Sequence, residues 1–415
     1  MSLRCASPAL SGAITLGKPR TVVPFGARGI NRQKVNLVRT WIAKSSSKGF
    51  MLDHPKTILN APDWLLEMRA TAWQWLLSLR DVEHPGRVRW CGNGSVVLTS
   101  HKTGLGASAL ALKVAYQLGR VKELPSDELL EWAAYIRSFQ TPTPGKFAGF
   151  FEDQPLLKQA DRRNAGWFRK DVAIRRAETR QACAALLAAG STPLYPMRHI
   201  PNSPSEVRQY LNRLPWYSPW AAGSHTAHLM FFLKINANVF GLNREYTELA
   251  PIILEHLDGL QDKETGAWFI GNPPTYEKVN GAMKVLTLYE LINTPFGLPD
   301  RLIDLCLSVA REDDACNKVD ILYVLHQSLK HSSHRKEEVQ QFMQKRLDAI
   351  RAHTKPDGAF SFLPDKTGTH YYGVRVAKGL PESDIHGTHL LLWATTLIAE
   401  ILGFREQLGW QVPIT

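Results

Sequence analysis

Two kinds of helical segment alternate along this chain from about residue 60 to its end, and this alternation limits the possible folds more than any other feature. The first kind is amphipathic, because apolar residues recur at steps of three and four and charged residues lie opposite them. Several of these segments open with Ser, Asp or Asn, which cap helix N-termini. The six amphipathic segments are residues 63–79, 126–140, 203–214, 243–261, 298–310 and 334–353.

The second kind of segment opens with polar residues and then becomes almost entirely apolar or small. "ETRQACAALLAAG" and "DIHGTHLLLWATTLIAE" are examples. A helix that is apolar on nearly all sides is a buried helix. The six apolar segments are residues 101–118, 178–190, 224–236, 279–292, 314–329 and 384–400.

Six outer and six inner helices in strict alternation predict an all-α fold, an (α/α)6 toroid or barrel spanning residues 56–415. Three connecting loops share one pattern, "QTPTPGKFAGFFED", "QDKETGAWFIGN" and "KPDGAFSFLPD". The one short strand candidate lies around "GSVVL", residues 94–98. In such a barrel every inner helix presents its N-terminal end at the same rim, where we expect a site.

The net charge of +12 is concentrated at the N-terminus. Residues 1–52 hold nine of the 50 Lys and Arg residues and no Asp or Glu, which leaves 41 basic residues against 38 acidic ones in the remainder. Residues 1–55 therefore form a basic extension, either an organelle transit peptide or a disordered segment. The nearly balanced body lacks a basic stripe, so we expect no nucleic-acid partner.

The cysteine count indicates a reducing compartment. The five cysteines are few, odd in number and form no CxxC pair. No run approaches eighteen apolar residues, so no transmembrane segment is predicted, although contact with a membrane surface stays open. We expect a soluble intracellular protein, cytoplasmic or, if the basic extension is a transit peptide, organellar.

Two stretches carry a resemblance to a known family. "QDKETGAW" is similar to the Gln-x4-Gly-x-Trp repeat of squalene-type cyclases, and "KPDGAFSFLP…SDIHGTHLLLWATTLIAE" looks like the last repeat of prenyltransferase β subunits. Over residues 60–415 the chain thus resembles the terpenoid-cyclase and protein-prenyltransferase superfamily. The resemblance implies an (α/α)6 barrel that handles an isoprenoid substrate, a prenyl diphosphate or polyprenyl chain, in its lumen. A partner subunit is compatible with it.

The same resemblance implies a zinc ion held by Asp314, Cys316 and His386. Asp320 follows Cys316 by four residues, so it lies one helical turn deeper on the same face, as a fourth ligand or an outer group. Zinc in proteins takes about four such ligands and keeps one position open for catalysis. In the alternative reading Asp314 caps a helix and Cys316 is a buried thiol, and no metal is needed.

A prenyl diphosphate also needs cations for its leaving group. The resemblance assigns this role to Arg180 and Arg311, and Lys284 lies at a neighbouring inner helix start. Asn280 precedes Lys284 in "EKVNGAMKV", where the family has a His-Gly-Gly-Tyr start. We expect Asn280 to contact substrate as well.

Further candidates lie at the starts of the second and third inner helices. Glu178 and Gln181 flank Arg180 and contact substrate on a rim, or else Glu178 is a capping acid. His225 and His228 are three residues apart on one helix face, where they bind a metal or diphosphate or serve a structural role.

Asp320 is the leading catalytic candidate, because it stands between Val319 and Ile321 in an apolar helix. A buried carboxylate either pairs with a cation, here Lys284 or Arg180, or has a raised pKa suited to a general acid. Asp314 and Asp384 are the other catalytic candidates.

Four functions stay open at this point. The first is a zinc-dependent prenyltransferase-like enzyme. The second is a metal-independent terpene cyclase that protonates its substrate through a buried Asp. The third is a carbohydrate-active hydrolase or lyase that uses Glu178, Asp314, Asp320 and Asp384 as acid and base. The fourth is a non-catalytic binding module.

Overall fold

The computed structural model describes residues 60–96, 104–159, 170–309 and 314–414. The predicted basic extension, residues 1–55, and the predicted diphosphate contact Arg311 lie outside these residues. Fourteen α-helices and one two-stranded sheet carry the regular structure of the described part. The all-α fold class predicted from the alternating segments is therefore confirmed.

All six predicted amphipathic segments form helices with one buried face. Ser203 caps the third of them, since its hydroxyl accepts a hydrogen bond of 3.4 Å from the amide of Glu206. The six are α1 (Asp63–Leu79), α3 (Ser126–Arg137), α6 (Pro204–Asn212), α8 (Asn243–Leu260), α10 (Pro299–Leu307) and α12 (Lys336–Arg351).

All six predicted apolar segments are helices as well, and three of them begin earlier than predicted. The first turns of these three are polar or contain proline, and a search for apolar runs assigns such turns to loops. Proline is well suited to the first turn of a helix, as Pro219 is here. The six are α2 (Leu105–Gln117), α5 (Lys170–Ala188), α7 (Pro219–Phe240), α9 (Thr275–Ile292), α11 (Ala315–Leu329) and α13 (Ile385–Leu402).

The apolar helices contact one another in a closed cycle. In chain order α2 contacts α5, α5 contacts α7, α7 contacts α9, α9 contacts α11, and α11 contacts α13. Helix α13 then contacts α2 again. The amphipathic helices pack against the members of this cycle, as α8 does on α7 and α12 on α13. The buried hydrophobic residues form one main cluster that includes side chains of both helix sets.

The three similar loops share one structural device. Each is closed by an isolated antiparallel bridge, Gln140 with Phe151, Gln261 with Trp268, and Thr354 with Phe360. In the first two, the glutamine amide also donates to a glycine carbonyl, at 2.7 Å for Gln140 and 2.8 Å for Gln261. The repeated Gln-to-aromatic pattern therefore fixes the loop backbone.

The remaining described elements are short. They are a 3-10 helix (Val121–Glu123), α4 (Gln154–Gln159), β1 (His370–Tyr371), β2 (Val374–Arg375) and α14 (Arg405–Leu408). The antiparallel hairpin of β1 and β2 turns through Tyr372 and Gly373, whose φ angles are +50° and +77°. A two-residue turn with both φ angles positive matches the right-handed twist of a hairpin.

The predicted strand around residues 94–98 is reduced to a single bridge in the described part, between Ser95 and Ala377. Residues 97–98 lie outside the described residues. One helix of the described chain, Ile385–Leu402, is long and apolar enough to cross a membrane by length and composition. It is mostly buried inside the protein, which is typical of the core helix of a soluble protein.

Candidate active site

The apolar helices carry several charged side chains that are nevertheless buried. A buried ionisable group needs a partner, or it shifts its pKa until it is neutral. Burying these groups costs free energy, and charged groups buried in this way are often found at functional sites. They are Lys113, Asp171, Arg176, Glu178, Arg180, Lys318 and Asp320, each at most 9% exposed.

Lys113 is a buried cation that sequence reasoning did not single out. It lies in α2 and is 3% exposed. Its ammonium group donates a hydrogen bond of 2.8 Å to Oε1 of Gln181 on α5. Burial, assisted by the charge of Arg180, lowers the pKa of Lys113 to about 7. The signal that could have revealed it is the single lysine of "LALKVAY".

Arg180 is buried beside Lys113. Its guanidinium donates to the hydroxyl of Thr287 at 2.9 Å and lies over the ring of Phe231, 5.6 Å from the centroid. Burial lowers the pKa of Arg180 to about 10, so it remains charged at neutral pH. No carboxylate of the described residues forms an ion pair with Arg180 or with Lys113.

Lys284 and Asp320 form an ion pair between α9 and α11, with Nζ and Oδ1 3.5 Å apart. Both properties expected of a buried carboxylate are found together, a raised pKa and a cation partner, and of the two cations named from the sequence the partner is Lys284. Burial raises the pKa of Asp320 to about 6, while Lys284 acts in the opposite direction. The second oxygen of Asp320, Oδ2, is buried and accepts no hydrogen bond from any described group.

The predicted zinc ligands have other partners in this structure. Asp314 caps α11, and its Oδ1 accepts from the amide of Asn317 at 2.8 Å. The ring of His386 stacks on Phe362 with centroids 5.2 Å apart. Burial, and then the nearby Asp320 and Asp314, raise the pKa of the Cys316 thiol well above its usual range.

Within the described ranges, no three or more His, Cys, Asp and Glu side chains lie close enough together to hold a metal ion. Asp314, Cys316 and His386 therefore do not form a ready ligand set in this arrangement. Zinc stays a prediction, and the chemistry proposed below does not depend on it.

Asp384 holds the loop before α13 in place. Its Oδ1 accepts from the amide of Gly387 at 2.7 Å, which caps the helix. Its Oδ2 accepts from the amides of Phe362 at 2.8 Å and Gly368 at 3.3 Å. Three amide donors occupy this carboxylate, an arrangement typical of a structural cap. Burial nevertheless raises the pKa of Asp384 to about 6.

Glu178 is the most isolated acid of the group. It is 1% exposed, and among the described residues the hydroxyl of Tyr371 is the group that interacts with its carboxyl oxygens through a hydrogen bond. Burial, followed by the neighbouring carboxylate of Asp153, raises the pKa of Glu178 to about 8, whereas the hydroxyl of Tyr371 acts to lower it. At neutral pH Glu178 is therefore mostly a neutral acid, the form that can donate a proton.

The two predicted histidines are neutral. Nδ1 of His225 lies 3.3 Å from the guanidinium of Arg176, which also donates to the hydroxyl of Tyr210 at 2.6 Å. Burial and then Arg176 lower the pKa of His225 to about 3. Burial and then Arg180 hold the pKa of His228 well below its usual value. Neither imidazole therefore supplies positive charge to a diphosphate at neutral pH.

Gln181 and Asn280, the other predicted substrate contacts, bond to protein groups. Gln181 accepts the bond from Lys113 already described. The amide of Asn280 donates to Oδ1 of Asn317 at 3.0 Å and joins α9 to α11.

Aromatic residues surround the charged groups. Trp90, Tyr371 and His386 contact one another, and Tyr371 also packs on Tyr372 with centroids 4.2 Å apart. Both tyrosines come from the short hairpin, which sequence patterns did not predict because its strands are only two residues long. The "YYG" triplet was the available signal, since glycine favours such a turn.

Comparisons of the chain with protein families, with curated proteins and with solved structures find no significant match. The resemblance to the terpenoid-cyclase and prenyltransferase superfamily therefore rests on the motifs quoted above, and the site must be interpreted from its own chemistry.

Proposed function

We propose that this chain is an (α/α)6-barrel enzyme that binds an organic anion with an apolar body, of the prenyl diphosphate type, in the barrel lumen. The closed cycle of contacts from α2 through α13 and back to α2 supports the barrel. The alternation of apolar and amphipathic helices supports it too, because the amphipathic helices would form the outer layer.

The proposal that the ligand is an anion depends on one observation. Lys113 and Arg180 are both buried, adjacent and without a carboxylate partner in the described part of the chain. Buried charges are costly unless they are compensated. An anionic group in the lumen would compensate both cations, and Lys284 would approach it from α9. Arginine is particularly suited to phosphate oxygens, since it can donate two parallel hydrogen bonds.

The surroundings of these cations suit an apolar substrate body. Phe231 lies under Arg180, and the ring centroid of Trp220 lies 6.0 Å from Nζ of Lys284. Apolar and aromatic walls with a few polar anchors are typical of small-molecule sites. A prenyl diphosphate combines a strongly anionic head with a hydrocarbon tail, and both parts find matching groups here.

The chemistry follows from this placement. When the carbon–oxygen bond of a prenyl diphosphate breaks, its electron pair leaves with the diphosphate. Arg180, Lys113 and Lys284 would stabilise this developing charge in a site with little water. The carbon left behind would form a bond to the nucleophile of an acceptor. Asp320, whose pKa of about 6 leaves it mostly ionised at neutral pH, would accept the proton that this nucleophile loses.

A second candidate is favoured by Glu178 alone. A buried carboxylic acid that is neutral at pH 7 is the kind of group that protonates a leaving oxygen in glycoside cleavage or a substrate in an acid-catalysed cyclase. An acid-catalysed mechanism gives the buried cations no role, whereas binding of a prenyl diphosphate explains why Lys113 and Arg180 are buried together. We therefore place the prenyl diphosphate type first and a metal-independent cyclase or carbohydrate-active enzyme second.

A thermal-shift panel separates the candidates. We expect farnesyl and geranylgeranyl diphosphates to raise the melting temperature, inorganic diphosphate to raise it less, and farnesol to have little effect. Neutral oligosaccharides should have none. Stabilisation by oligosaccharides but not by prenyl diphosphates would reverse the order of the two candidates. Zinc-loaded and chelator-treated samples, run in parallel, show whether any response needs the metal.

A further inference from the structure

The guanidinium group of Arg180 is held by residues of two other apolar helices. The side chain starts on α5 and lies over the ring of Phe231 on α7, with Cζ 5.6 Å from the ring centroid. Its Nη2 then donates a hydrogen bond of 2.9 Å to the hydroxyl of Thr287 on α9. One side chain therefore connects three of the helices in the closed cycle.

The hydroxyl of Thr287 is oriented to accept this bond. It donates its own proton to the backbone carbonyl of Lys284, one turn earlier in α9, at 2.7 Å. A hydroxyl group has one proton and two acceptor lone pairs. The proton of Thr287 is therefore directed at Lys284, and a lone pair is left for Arg180. Thr287 is 2% exposed, so the arrangement is protected from water.

This contact fixes the direction of the other donors of Arg180. Thr287 is the hydrogen-bond acceptor found for Arg180 among the described residues. A guanidinium group carries five N–H donors in one rigid plane. Because Thr287 holds Nη2 and Phe231 lies against the face of the plane, the donors on Nε and Nη1 keep a constant direction.

The same turn of α9 also places a second cation. The ammonium group of Lys284 lies 3.5 Å from Oδ1 of Asp320 on α11, and the carbonyl of Lys284 accepts from Thr287. Residues three apart are neighbours on the surface of a helix. One turn of α9 therefore positions Lys284 directly and Arg180 through Thr287.

We infer that Thr287 is a positioning residue of the anion site, which orients Arg180 so that its remaining donors face the anionic head of the ligand. This inference rests on the proposed function, because it concerns the same cations. Thr287 acts without touching the ligand. A guanidinium group that is already oriented loses little conformational freedom when it forms two parallel hydrogen bonds, so binding costs less.

The test measures the binding of farnesyl diphosphate and of farnesol by titration calorimetry at fixed pH and ionic strength. Thr287→Val keeps the shape of the side chain and removes the hydroxyl. We expect it to weaken binding of the diphosphate about fivefold and to leave binding of farnesol unchanged. Thr287→Ser keeps the hydroxyl and should restore most of the affinity. A merely structural role would weaken both ligands alike.

Thr396→Val is the matched control. Thr396 is a buried threonine of α13 whose hydroxyl also donates to a carbonyl one turn earlier, that of Leu392 at 2.7 Å. Its replacement should leave the affinity for both ligands unchanged.

A double-mutant cycle shows whether Thr287 acts through Arg180. Arg180→Gln alone should weaken binding of the diphosphate at least tenfold. Adding Thr287→Val to Arg180→Gln should cause no further loss, because the group that Thr287 orients is then absent.

The orientation of Arg180 can also be measured in the unaltered protein. With isotope-labelled arginine, a guanidinium group that is held at one end gives separate, slowly exchanging Nη signals in NMR spectra. Arg180→Gln identifies these signals by their loss. We expect Arg180 to give them without any ligand, and Thr287→Val to merge them.

The outcomes separate this inference from the proposed function. If the unaltered protein does not bind farnesyl diphosphate, or a folded Arg180→Gln protein binds it equally well, the proposed function fails and the role of Thr287 fails with it. If Arg180→Gln weakens binding but a folded Thr287→Val does not, or if Thr287→Val has the same effect with and without Arg180, only the inference about Thr287 is overturned. A freely rotating guanidinium group of Arg180 in the unaltered protein would also overturn it, even if Thr287→Val fails to fold.

Discussion

The ammonium group of Lys113 lies 2.8 Å from Oε1 of Gln181 and ties α2 to α5 through a single charged hydrogen bond. An amide oxygen satisfies one of the three donors of an ammonium group but does not neutralise its charge. With Arg180 alongside, the protein keeps two positive charges in its interior. The predictions below follow from that imbalance and from the acids around it.

Replacing Lys113 should stabilise the empty protein at low pH. Burial lowers the pKa of Lys113 to about 7 from the usual 10.5, so the unfolded chain binds more protons between these values. The unfavourable contribution is complete below pH 7 and disappears as the pH rises toward 10.5. Lys113→Met should raise the melting temperature by about 3 °C or more at pH 6 and by much less at pH 10. A fall of equal size at both pH values would contradict a buried, uncompensated cation.

The pair of Lys284 and Asp320 should show energetic coupling. The two groups lie 3.5 Å apart, and Asp320 is almost completely buried. Each single variant, Lys284→Met or Asp320→Asn, leaves the other member of the pair as an isolated buried charge. The two single losses in the free energy of unfolding should therefore add up to more than the loss in the double variant. We expect a double-mutant cycle in urea to give a coupling free energy of ~1–2 kcal/mol. Additive effects would show that the pair contributes nothing to stability.

Asp384 should matter for stability more than for chemistry. Its carboxylate accepts hydrogen bonds from the amides of Gly387, Phe362 and Gly368. Asp384→Ala removes the cap and leaves buried amides unpaired, at an expected cost of ~2–4 kcal/mol in the free energy of unfolding. Asp384→Asn keeps an acceptor oxygen and should cost less. A stable but inactive Asp384→Ala protein would instead make this residue catalytic.

Cys316 allows a direct test of the zinc prediction. Burial and two nearby carboxylates raise the pKa of its thiol, so it should react slowly with a thiol reagent at pH 8. Elemental analysis of the purified protein, with Cys316→Ala as the comparison, measures the metal. One zinc per chain that is lost in Cys316→Ala would establish Cys316 as a ligand, and the same loss in Asp314→Ala and His386→Ala would complete the predicted set.

The helices were predictable because their signal is local. Periodic apolar residues identified the six amphipathic segments, and nearly continuous apolar runs identified the other six. The Gln-to-aromatic loop pattern had a consistent structural cause in Gln140 and Gln261. Helix starts were less accurate where polar first turns, as in α5, resemble loops.

The site was only partly predictable, since its contacts join residues that are far apart in the chain. Arg180, Glu178 and Asp320 stood out as charges in apolar helices, but Lys113 did not, although the same argument applies to it. The ion pair of Lys284 with Asp320 required the packing of α9 on α11. Trp90 and Tyr371 are 281 positions apart, and no sequence pattern connects them.

The central claim is that Arg180 and its neighbours bind the anionic head of an apolar ligand, and calorimetry tests it most directly. Farnesyl diphosphate and farnesol are titrated into the unaltered protein, into Arg180→Gln, and into Arg208→Gln, an exposed arginine of α6 paired with Glu255. We predict tight binding of the diphosphate, weak binding of farnesol, and at least a tenfold loss of diphosphate affinity, ~1.4 kcal/mol, in Arg180→Gln alone. Equal affinities for the two ligands, or a folded Arg180→Gln protein that binds the diphosphate as tightly as before, would contradict the claim.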